Sequence, residues 1–155
     1  MKKPCIDPGE GAAAVVEKST GDLQQRLMEE PDLNTYLKKN RPFFFDGQLP
    51  QLLAEIYRRR HISKAALARQ AGMSEVYLHQ VFSGRRVPSR DRLLCLCIAM
   101  GTTLEETQQL LLRTAYAQLY PKLRRDAVIS HGLVHGKTLA EINEALTAAG
   151  EKTLF

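Results

Sequence analysis

The chain has 155 residues, 44% hydrophobic and 25% charged, which suits one domain with an appendage and is long enough to bury a real core. It has no apolar run near the roughly 20 residues a membrane span needs, and its start "MKKPCIDPGEG" lacks the apolar segment of a secretory signal, so a soluble cytoplasmic protein without a membrane partner is expected. The whole basic excess behind the net charge of +5 falls in residues 58–92, which hold 9 Lys/Arg against Glu75 and Asp91 and so have the footprint of a polyanion-binding surface.

Residues 1–20 carry Pro4, Pro8, Gly9 and Gly11 with little periodicity and read as a flexible tail, with a weak helix over "AAAVVEK". A helical N-terminal extension and connector is expected over 21–48: "DLQQRLMEE" is broken at Pro31, and "DLNTYLKKN" starts with Asp32 as N-cap. The aromatics Phe43–Phe45 of "RPFFFDGQ" are expected to plug the edge of the core beside the turn residues Asp46 and Gly47. Helices then follow one another with short breaks. "LPQLLAEIYRRRH" has Pro50 in its first turn, where a missing N–H is harmless, and one apolar stripe of Leu52, Leu53, Ile56 and Tyr57. "SKAALARQA" runs from the N-cap Ser63 to the stop Gly72, "SEVYLHQVF" from Ser74 to Gly84, and "SRDRLLCLCIAM" from Ser89 to Gly101. "TLEETQQLLLRTAYAQLY" opens with a capping-box pattern at Thr103 and Glu106 and should continue to Pro121. Helices around "RDAVISHGLVH" and "TLAEINEALTAA" complete an all-α chain.

Sliding the sequence by 35 positions brings Arg90-Asp91 onto Arg125-Asp126, Gly101 onto Gly136, Thr103-Leu104 onto Thr138-Leu139, Glu106 onto Glu141 and Tyr120 onto Phe155. Residues 121–155 are thus expected to be a C-terminal helical hairpin extension, a repeat of 90–120. Such a unit cannot bury its apolar face alone and should stack on its neighbour.

Residues 62–84 have the spacing of a helix-turn-helix. Ala68 and Ala71 let two helices cross closely, Gly72 supplies the positive φ of a tight turn, and Val76, Leu78 and Val81 are available to pack the second helix. With its flanks, "ISKAALARQAGMSEVYLHQVFSGRRVPSRDRLLCLCIAMGTTLEE" resembles the Cro/lambda-repressor type (xenobiotic-response-element class) helix-turn-helix family. The matching marks are Leu67-Ala68, Ala71-Gly72 with Met73-Ser74, Leu78, Gly84, Pro88, and Leu94 through Gly101 ahead of Thr103-Leu104. The resemblance implies a lambda-repressor-like bundle, a helix-turn-helix domain over 49–120. It also implies that helix Ser74–Ser83 enters the major groove of double-stranded DNA. Glu75, Val76, Tyr77 and Gln80 then take the base-contacting positions. Gln80 can pair with adenine, Val76 can touch a thymine methyl and Glu75 can accept from cytosine. Ser63, Lys64, Ser74, Arg85, Arg86 and Arg90 take the phosphate contacts.

The expected function is a sequence-specific DNA-binding transcriptional regulator, a dimer of the small bacterial regulator type. The alternative is an adaptor, in which Val76, Tyr77 and Phe82 are packing residues and the second helix of the motif and the 35-residue repeats bind a protein partner; 121–155 or the N-terminal extension is also a candidate surface for such a partner. His131 and His135 share a helix face, but no third ligand accompanies them and no metal or cofactor is expected. Cys5, Cys95 and Cys97 cannot form a disulfide framework, and the latter two read as buried small hydrophobes. No phosphate-binding glycine loop or nucleophile elbow occurs, so no enzyme activity is expected.

Overall fold

A computed structural model describes residues 18–45 and 48–155. Most of the tail expected at 1–20, the helix expected over "AAAVVEK", Cys5 and the turn residues Asp46 and Gly47 lie outside them. Among the described residues all regular structure is helical, and no helix is long and apolar enough to cross a membrane. The chain divides into two compact units, one ending at Phe44 and one spanning Phe45–Phe155.

In the first unit, α1 (Thr20–Glu29) and α2 (Leu33–Lys39) flank Pro31. The Ser19 hydroxyl accepts the Asp22 N–H, and the Asp32 carboxylate accepts both the hydroxyl and the N–H of Thr35, which hold its pKa below the usual value. Tyr36 ties the helices together, donating its phenol hydrogen to Leu23 O at 3.3 Å, while the buried Asn40 side chain donates to Tyr36 O at 2.9 Å. A single 3-10 turn, Arg41–Phe43, follows. The three aromatics do not plug one core: Phe43 and Phe44 are half-buried and Phe45 is exposed. Only Phe43 lies on that turn, and Phe44 follows it with extended backbone (φ −78°, ψ 148°), where successive side chains point to opposite sides. Phe43 lies under Lys18 Nζ, Phe44 meets the Tyr36 ring edge-on, and Phe45 lies under the Arg113 guanidinium.

The second unit contains α3 (Leu49–Arg58), α4 (Lys64–Gln70), α5 (Glu75–Phe82), α6 (Arg90–Met100), α7 (Leu104–Arg113), α8 (Arg124–Val134) and α9 (Leu139–Ala148). Ser63, Ser74, Ser89, Thr103 and Thr138 each cap a helix through the side-chain oxygen, and Thr103–Glu106 and Thr138–Glu141 form full capping boxes. Every residue from Leu93 to Ile98 is buried, so α6 is the central helix, apolar on all sides. Leu53 and Ile56 of α3, Leu67 of α4, Leu78 of α5, Leu110 of α7 and Ile142 of α9 are fully buried with it. Each such side chain contributes roughly 1.5–3 kcal/mol by leaving water.

Helix α7 ends at Arg113, not before Pro121. Ala115 takes a left-handed φ of 59°, and the Thr114 hydroxyl bonds back to Leu110 O. The following segment folds against α7, where one side chain satisfies both polar groups of Leu119: Gln108 Oε1 accepts its N–H at 2.7 Å and Nε2 donates to its carbonyl at 2.8 Å. At the chain's end Asn143 Oδ1 likewise accepts the Leu154 N–H at 2.9 Å. The strands of loop that close the two hairpins are also gripped alike. Arg90 Nε donates to Ala117 O and Arg125 Nε to Lys152 O, each at 2.9 Å. Between the hairpins the pairing is crossed, Arg90 with Asp126 at 3.1 Å and Arg125 with Asp91 at 3.0 Å. In α8, Gly132 lets α9 approach closely, since a Cβ there would stand 2.6 Å from Ile142 Cδ1 and nearer still to Cγ1.

Candidate nucleic-acid interface

Helices α4 and α5 build the helix-turn-helix. The Met73 N–H returns to Ala68 O at 2.9 Å, and Gly72, at φ +69°, makes the reversal that ends α4. Buried Leu67, Ala68, Ala71, Leu78 and Val81 hold the two helices together and fix which side of α5 faces out. A Cβ added to Gly72 would touch the Phe155 ring at 3.5 Å, so that ring lies against this turn.

The outward face of α5 carries Glu75, Val76 and His79, all exposed, with Val76 at 67%, and the half-buried Gln80. Glu75 lies in the first turn of α5, where a carboxylate is favoured by the helix dipole, and pairs with no cation among the described residues. The Gln80 amide makes no hydrogen bond among them either; only its backbone carbonyl is engaged, by Ser83 Oγ and the Arg86 N–H. A side-chain amide presented in this way has its donor and its acceptor available to a ligand.

Tyr77 and Phe82 are half-buried, and each carries cations on its ring. Lys64 Nζ sits 4.9 Å from the Phe82 centroid and 5.8 Å from that of Tyr57, whose ring meets Phe82 edge-on. On the other flank, the guanidiniums of Arg92 and Arg86 lie 4.7 and 5.5 Å from the Tyr77 centroid. The aromatic residues thus seat positive charge at both margins of α5 and do not form a bare apolar patch.

The remaining cations of the basic segment fall into two groups. Arg59 and Arg60 both bond the Glu106 carboxylate, at 2.9 and 2.8 Å. Partial burial would raise the Glu106 pKa, but the Thr103 hydrogen bonds and the charges of Arg60 and Arg59 outweigh it and hold the carboxyl below its usual range. Arg90 is likewise engaged inside the protein, with Asp126 and the carbonyls of Ala117 and Gln118. By contrast Arg58, Arg69, Arg85, Arg86 and Arg92 are exposed and have no carboxylate partner among the described residues. Ser63 and Ser74 accept the N–H groups of Ala66 and Tyr77, which leaves each hydroxyl hydrogen to donate outward. Arg92 has no signal in the sequence beyond membership of the basic segment, because its approach to Tyr77 depends on how α6 packs beside α5.

Elsewhere, the rings of His131 on α8 and of its C-cap His135 lie 4.2 Å apart with their planes tilted by 41°, and no group of three or more His, Cys, Asp or Glu suited to a metal occurs among the described residues. Cys95 and Cys97 are buried on α6. Burial foremost, with Asp91 nearby, pushes the Cys95 thiol up to about 11, and burial pushes Cys97 to about 12.

Residues 48–110 match the family model of a helix-turn-helix domain. Comparison with curated proteins and with solved structures finds no match.

Proposed function

We propose that this chain, which carries a helix-turn-helix domain at residues 48–110, is a sequence-specific DNA-binding transcriptional regulator that inserts α5 into the major groove. The observation that carries the reading is the distribution of partners around α5. Uncompensated cations stand at both of its margins, and an unbonded amide, Gln80, stands between them. Margins of positive charge suit the two phosphate backbones that border a groove, and the amide suits a base edge.

Glu75, Val76 and Gln80 are the base-facing residues in this reading. Lys64, Arg85 and Arg86 contact phosphates, with the hydroxyls of Ser63 and Ser74 as additional donors. Arg90, held by Asp126, has a structural role in place of a phosphate contact. An adaptor that used α5 to grip a protein would need Tyr77 and Phe82 as an exposed apolar patch, and their burial under cations argues against it. The regulator acts as a dimer on two half-sites about 34 Å apart, one helical turn of DNA.

Selection of bound duplexes from a random pool tests the reading. Enrichment of a palindrome is expected, and binding that is undetectable or independent of salt would overturn it. On the selected duplex, Lys64→Ala should weaken all sequences by about the same factor, whereas Gln80→Ala should change which base is preferred at one position. Sedimentation with and without the duplex tests the dimer.

A further inference from the structure

We infer that Tyr77, Arg86 and Arg92 form a phosphodiester clamp on the flank of α5, in which Tyr77 is a positioning residue and Arg92 an anion ligand. This rests on the DNA-binding reading and deepens it. The two guanidinium carbons lie 4.7 and 5.5 Å from one ring centroid, which puts the charges no more than about 10 Å apart. Salt screens much of their repulsion at the outer end of that range and less of it at shorter separations, since the screening length is about 8 Å. Elsewhere in the unit the structure resolves such crowding with a carboxylate: Glu106 lies between Arg59 and Arg60, and Asp126 faces Arg90. At Tyr77 no carboxylate stands within ion-pair distance of either arginine among the described residues, and the phenol makes no hydrogen bond there.

The electron-rich ring face offsets part of the repulsion and fixes where the guanidiniums sit. What remains is a pair of exposed guanidiniums gathered at one ring on the flank of α5, without a carboxylate partner among the described residues. The ligand with the matching chemistry is a single phosphodiester of the duplex backbone, whose two non-bridging oxygens accept from both guanidiniums. The clamp joins successive elements: Tyr77 is on α5, Arg86 on the loop after it and Arg92 on the first turn of α6. The phosphate contact would therefore lock the orientation of α5 against α6 as well as supply affinity.

The test uses the full chain and measures affinity for a selected duplex, and for a scrambled one, across a series of salt concentrations. Arg92→Ala should lower affinity about tenfold for both duplexes and make the slope of log affinity against log salt shallower by about 1, one lost phosphate contact. Tyr77→Leu should weaken both duplexes by a common factor, and its combination with Arg92→Ala should cost less than the two losses multiplied. Tyr77→Phe should keep most of the affinity. Thermal melting of each variant establishes that it is folded; if Tyr77→Leu does not fold, Arg92→Ala and Tyr77→Phe carry the test. An Arg92→Ala slope equal to that of the unaltered protein, or a Tyr77→Leu or Tyr77→Phe variant that reorders sequence preference, would overturn the clamp and leave the DNA reading standing. Failure of the unaltered protein to bind either duplex would remove both.

Discussion

Phe82 and Tyr77 look alike as sequence, two aromatics on one short helix, and both do two jobs. Each ring packs its inner side against the domain and offers its outer side to cations, Lys64 in one case and Arg86 with Arg92 in the other. Gln80 differs in that nothing within the described protein claims its side-chain amide. Arg90 and Arg92 make the opposite lesson: two residues apart, one is tied to a buried carboxylate and the other faces out. At this scale the cysteines give a direct check. With thiols raised to about 11 and about 12 by burial, Cys95 and Cys97 stay protonated and shielded at pH 8. A thiol-alkylating reagent should leave both unmodified in the native protein and label both after denaturation, as read by peptide mass spectrometry. Rapid native labelling of either would contradict the packing of α6.

Among the elements, α7 and the α8–α9 pair show how local rules meet their limits. The cap at Thr103 was legible from "TLEE", and it is present with both of its bonds. It also gathers Arg59 and Arg60 onto Glu106, a union of residues 46 and 47 positions apart. The Glu106 pKa is depressed in the folded state, so its stabilisation is in place above the unfolded value near 4.5 and is lost as pH falls through the folded one. Glu106→Gln should therefore lower stability by about 1–2 kcal/mol at neutral pH, because one charged, partly exposed acceptor is lost. The gap to the unaltered protein should close as denaturant titrations move from about pH 5 to below pH 4. A gap independent of pH would mean the ion pairs contribute nothing. In α8, Gly132→Ala would gain about 1 kcal/mol of helix propensity but drive a Cβ into the buried Ile142, an overpacking cost of about 1–3 kcal/mol. A net loss of about 1 kcal/mol is expected in chemical denaturation, and a stabilised variant would show that α9 moves aside freely.

At the scale of the Phe45–Phe155 unit, the C-terminal hairpin is packed into the same body as the helix-turn-helix. It meets α6 through the crossed Arg90–Asp126 and Arg125–Asp91 pairs, and it meets the turn at Gly72 through Phe155. Asp126 is 3% exposed and accepts from Arg90 and from the Tyr120 N–H. Arg90→Ala would leave that buried carboxylate without its cation, at a cost of about 3 kcal/mol. The expected result is a clear fall in melting temperature with salt-dependent DNA affinity retained wherever the variant is folded. Unchanged melting together with a shallower salt slope would return Arg90 to the phosphate contacts.

The sequence by itself determined the helical class, the helix starts at Ser63, Ser74, Ser89, Thr103 and Thr138, and the turn at Gly72. Caps, glycine stops and apolar spacing act over three or four residues, so a linear reading contains them. Tertiary structure alone decided three other matters: that α7 stops at Arg113, that Phe43–Phe45 diverge, and which cations of the basic segment remain without a carboxylate. Gln108 holding Leu119, Asp126 taking Arg90, and Tyr77 collecting Arg86 and Arg92 are meetings of residues 9 to 36 positions apart. Such partners are chosen by how helices pack, and a charge count along the chain cannot tell an arginine held by a carboxylate from one without a carboxylate.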